Sequence, residues 1–96
     1  MSGFEDPLEG LPDEYGFRAR MAAATDQELV DYLNREVGNP GIVRARMYFL
    51  LELRAEFLRR RIDISEIAGP YHISVARRVV LTADRCLMPI GDRASR

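Results

Sequence analysis

Residues 40–61 read PGIVRARMYFLLELRAEFLRRR, and this stretch decides the fold. Pro40 suits the opening turn of a helix, where its missing N–H is no loss. Apolar residues then recur at helical spacing: Ile42, Val43, Met47, Phe49, Leu50, Leu51, Leu53, Phe57 and Leu58 form a wide arc. The pattern predicts one long helix over about 40–61, about 22 residues and roughly 33 Å at 1.5 Å per residue. Arg59, Arg60 and Arg61 end it, where cations complement the helix dipole.

Two irregularities mark this helix as more than an ordinary surface element. Met47-Tyr48-Phe49-Leu50-Leu51 is apolar nearly all the way round, so it needs cover on more than one side, from its own chain or from a second copy. Arg46 and Arg54 fall inside the apolar arc at about 100° per residue. A guanidinium there must snorkel, pair with an acid such as Asp31 or Glu36, or bind an anion. Glu52 and Glu56 project opposite the arc, at positions expected to be solvated.

Outward from the helix, Thr25-Asp26-Gln27-Glu28 has the capping-box form and predicts a helix over about 25–37. Leu29, Val30, Leu33 and Val37 share its inner side, with Asp31, Asn34 and Arg35 facing away. Gly38 is a C-terminal stop, and the short link through Asn39 forces a sharp turn into the long helix. Before it, Leu11-Pro12-Asp13-Glu14 offers a start for a helix over about 13–23, with Phe17 and Met21 on one face and Gly16 as a weak point. Residues 1–12 lack any period and read as a mobile tail.

Downstream, Asp63-Ile64-Ser65-Glu66-Ile67 repeats the cap-and-glutamate spacing, but Gly69-Pro70 leaves space for only a short turn of helix. Tyr71, Ile73, Val75, Val79 and Leu81 alternate, and a second run spans Cys86 to Ile90. These predict a C-terminal β-hairpin over about 71–81 and 86–90, against a rival in which Ser74 caps a short helix through Arg78. The expected fold is α+β and mainly helical: three helices, a short turn of helix and the hairpin, in one domain over 13–90, with 91–96 a tail.

Composition narrows the function. The chain has 96 residues, 47% hydrophobic and 30% charged, which is globular and not disordered in character. No apolar run has membrane-span length, and residues 1–7 lack a signal-peptide pattern. With one cysteine, Cys86, no internal disulfide forms, and the expected location is cytoplasmic. Residues 1–40 hold nine acids against three arginines, and residues 41–96 hold six acids against eleven, so the halves attract within one fold or between copies. Every basic residue apart from His72 is arginine.

Enzyme chemistry lacks its parts. Cys86, His72 and Asp84 name a nucleophile, base and orienter, but nearness in sequence is not geometry. One histidine and one cysteine do not make an ordinary zinc site, and no phosphate-binding glycine motif occurs, so no cofactor is expected. The leading expectation is a non-enzymatic protein–protein interaction or regulatory module, a homodimer that also docks another protein. Its expected interface is Met47, Tyr48, Leu51, Arg54 and Leu58. The alternative is a nucleic-acid-binding regulator of winged helix-turn-helix type. There Arg46, Arg59, Arg60, Arg61, Arg77 and Arg78 are the candidate anion contacts, although net acidity opposes it.

Overall fold

The first element is set by two residues outside it. In the computed structural model, which describes residues 10–39, 43–70 and 72–90, α1 spans Phe17–Ala22. Gly16 precedes it in the left-handed region at φ 74°, so the helix cannot extend back through Asp13. Asp13 instead reaches forward, its carboxylate accepting from the N–H of Arg18 and of Ala19 at 3.0 Å each. The expected 13–23 helix is thus shorter, and its acid acts as a cap from the loop.

The second helix, α2 (Asp26–Glu36), follows the predicted caps. Thr25 Oγ1 accepts from Glu28 N–H at 3.0 Å, and Glu28 accepts from Thr25 N–H at 2.8 Å, a complete capping box. Gly38, at φ 75°, takes the left-handed conformation that ends the helix.

The long helix, α3, covers Arg44–Arg59. The predicted start at Pro40 through Ile42 lies outside the described residues, and Val43 is extended at φ −118°. Its far end is a Schellman closure: Ile62 N–H donates to Phe57 O and Arg61 N–H to Leu58 O, with Arg61 left-handed at φ 59°. Ile62, the apolar residue of that motif, is buried.

Beyond α3 the expected turn of helix is a single hydrogen-bonded turn. Asp63 accepts from Ser65 N–H and Ile64 O from Ile67 N–H, while Ile73 bridges back to Ala68. Residues 74–78 form neither the predicted strand nor the rival helix. Ser74 Oγ accepts from Ala76 N–H, a local turn that competes with both. The hairpin proper is β1 (Val79–Leu81) against β2 (Leu87–Pro89), antiparallel, with Val80 opposite Met88. Arg85, left-handed at φ 59°, helps turn the chain between them.

All these elements meet in one core. Met21 comes from α1, Leu29, Val30 and Leu33 from α2, and Leu53 and Phe57 from α3. Ile62, Ile64, Ile67 and Ile73 come from the connecting segment, and Val79 and Leu87 from the hairpin. A two-stranded hairpin is not stable by itself, and here its inner residues are fixed by α2. The Asn34 side chain, expected to face away, turns inward and accepts from Val79 N–H at 2.8 Å while donating to Val79 O at 3.0 Å. No helix among the described residues is long and apolar enough to cross a membrane.

Candidate docking site

The two sides of α3 have opposite fates. Glu52 and Glu56, expected in solvent, are buried at 4% and 6% exposure. Burial of carboxylates is tolerable only with paired cations, and both are paired. Arg18 of α1 donates to Glu52 through Nε and Nη2, the latter at 2.9 Å. Arg59 and Arg60 both donate to Glu56, and Arg59 also approaches Glu52 at 3.9 Å.

Arg60 is the hub of this network. Its Nε binds Glu56 and its Nη1 binds Asp26, both at 2.8 Å, while Nη2 donates to the carbonyls of Met21 and Ala24. It therefore adds a donor at the carbonyls where α1 ends, that of Met21 accepting from Ala24 N–H as well. Hydrogen bonds from Arg60, then from Arg85, hold the Asp26 carboxyl below its ordinary 3.8.

The arginines inside the apolar arc also have internal partners. Arg46 donates to Glu36 Oε1 at 2.7 Å and to Glu36 O at 3.2 Å, the acid pairing expected for it. Among the described residues Arg54 pairs with no acid: its Nε and Nη2 both donate to the Gly69 carbonyl, at 3.2 and 2.9 Å. Arg44 lies over the Tyr48 ring, which tilts against Tyr15. Arg61, Arg77 and Arg78 are exposed.

The remaining face of α3 is apolar and open. Val43 and Met47 are 64% and 53% exposed, and Leu50, Leu51 and Leu58 are half-buried. Spaced at i, i+3 and i+4, Met47, Leu50 and Leu51 form one stripe. Met47, Leu50, Leu51, Arg54, His72 and Ile73 line a groove of about 190 Å³ along it. Of the expected interface residues, Met47, Leu51 and Arg54 are thus brought together, while Leu58 packs against the core and Tyr48 against Tyr15. His72 and Ile73 were not foreseen here. The bridge between Ala68 and Ile73 brings them beside α3, and no helical period encodes it.

His72 therefore serves as a groove wall beside Gly69, while Cys86 sits on the hairpin, its N–H bound to Thr82 Oγ1 and its thiol 3.5 Å from the Met88 sulfur. Desolvation, followed by the charges of Asp63, Glu66 and Asp84, raises the Cys86 pKa. That keeps the thiol protonated, the reverse of nucleophile activation. Among the described residues no group of three or more His, Cys, Asp or Glu side chains is arranged to hold a metal.

Neither hairpin edge is open along its length. Asn34 occupies both backbone groups of Val79, Asp63 pairs with Arg85 and Leu87, and Pro89 has no N–H to offer. Comparison with known proteins gave no match to any family model, curated protein or solved structure.

Proposed function

We propose that this protein is a non-enzymatic interaction module that forms a homodimer through the open face of α3. The carrying observation is the apolar stripe of Met47, Leu50 and Leu51 with its groove, on a helix whose opposite side holds the paired, buried Glu52 and Glu56. A two-fold pairing suits such a stripe, since each copy presents the same patch to the other. Strand addition at the hairpin is a poorer route, because both edges are partly blocked.

The nucleic-acid reading has fewer arginines to draw on, because Arg46, Arg59 and Arg60 are bound to acids and carbonyls of the same chain. Sedimentation equilibrium tests the proposal. Wild type should reach twice the 11.0 kDa chain mass at high micromolar concentration, and Met47→Glu should revert to monomer with unchanged circular dichroism. Met47 is exposed in the single chain, so this change spares the fold. A wild type that stays monomeric, or a Met47→Glu protein that remains dimeric, refutes it.

A further inference from the structure

A second apolar surface lies on the outer side of the hairpin, away from α3. Side chains alternate along a strand, so while Val79 and Leu87 enter the core, Val80, Met88 and Ile90 point out, 47%, 37% and 47% exposed. Val80 and Met88 are cross-strand partners, so the three make a continuous strip. Arg78, two residues before Val80, stands at one end of it. With Asp31, Asn34 and Arg35 it borders a polar hollow of about 190 Å³.

Among the described residues the cations of this hollow make no ion pair. Arg35 lies over the Tyr32 ring at 5.6 Å, and among the described residues neither Arg35 nor Arg78 has a carboxylate at ion-pair distance. Asp31, the one acid on its rim, accepts from Gln27. The surface therefore suits a segment that combines apolar side chains with several carboxylates and no cationic side chain.

We propose that residues 1–9 of the same chain, Met1-Ser2-Gly3-Phe4-Glu5-Asp6-Pro7-Leu8-Glu9, dock on this face. They lie outside the described structure, and their composition is complementary to it: Phe4 and Leu8 for the strip, and Glu5, Asp6 and Glu9 for Arg35 and Arg78. The route is short. Leu11 O is bound by Arg18, and Arg20 of the same helix lies over Tyr32, the ring that Arg35 also covers. Nine residues extend to roughly 30 Å. A tethered segment needs little intrinsic affinity, because its effective concentration is in the millimolar range. The α3 groove is less suited to it, since its guanidinium, Arg54, is already held by the Gly69 carbonyl.

The test is a nitroxide spin label on Ser2→Cys in a Cys86→Ser background, read by amide NMR of the full chain. Labelling should remove the amide signals of Val80, Met88 and Ile90, and Arg35→Glu with Arg78→Glu should restore them. Both arginines are exposed, so the double variant should keep the wild-type circular dichroism. Signal loss confined to Met47 and Leu51, or loss at the hairpin that survives charge reversal, overturns the proposal. So does hairpin signal loss in a mixture of isotope-labelled, spin-free chains with spin-labelled, isotope-free chains, which would mean exchange between copies.

Discussion

Replacing Arg60 by alanine should cost more than any other single arginine change. The substitution removes donors from Glu56, whose side chain is 8% exposed, from Asp26, and from the carbonyls of Met21 and Ala24. Breaking a buried pair by deleting one partner costs about 3–5 kcal/mol, because the other charge stays buried. Arg59 still faces Glu56, and the Arg60 side chain is 19% exposed, which places the loss at the lower end, about 3 kcal/mol. For a domain of this size that lowers Tm by roughly 12 to 24 °C. Urea unfolding followed by circular dichroism at fixed protein concentration measures it, with the slope m unchanged. Arg60→Lys should recover only part of the loss, since an ammonium lacks the planar fork that meets several acceptors at once. A loss for Arg60→Ala below about 1 kcal/mol, the worth of a surface pair, would refute the reasoning.

Asn34→Ala strips both backbone groups of Val79 of their partner and should cost about 1–3 kcal/mol. Hydrogen exchange at Val79 should then quicken well before exchange in α3. Thr25→Ala removes half of the capping box and should cost about 1 kcal/mol in the same urea assay, with Thr25→Ser close to wild type. Acid should destabilise the fold through Asp13, Asp26 and Asp63, all held below the ordinary 3.8. Because their folded values are depressed, the stability they add is present above about pH 4 and lost as pH falls through the folded values. Asp26→Asn should flatten that acid limb of the stability curve, and an unchanged limb would count against the Arg60 and Arg85 hydrogen bonds as its cause.

Local chemistry made much of this fold legible. Thr25 with Glu28, and Gly38, fixed α2 to within a residue at each end, because capping depends on neighbours in sequence. The start of α1 was less legible, since Asp13 caps from outside the helix across a left-handed Gly16. The Schellman end of α3 places an arginine where glycine is the usual signal. The alternation of residues 71–78 resembled a strand, but Ser74 draws the backbone into a turn.

The largest miss is Glu52 and Glu56. A helical projection places them opposite the apolar arc, and only the docking of α1, which carries Arg18, turns that side into an interior. The groove itself was half legible. Met47, Leu51 and Arg54 follow from helical spacing, but His72 and Ile73 arrive through a loop.

The polar links of this core join distant parts of the chain. Arg60 meets Asp26 and Met21 across 34 and 39 residues, Arg18 meets Glu52 across 34, and Asn34 meets Val79 across 45. Helices nucleate locally within about a microsecond, whereas links of this span form only after long loops have closed. They therefore belong to the late side of the folding barrier, where an interaction slows escape from the native state more than it speeds arrival. These long-range links of Arg18, Arg60 and Asn34 thus act on how long the molecule stays folded: they are a latch on lifetime, set after the helices have formed.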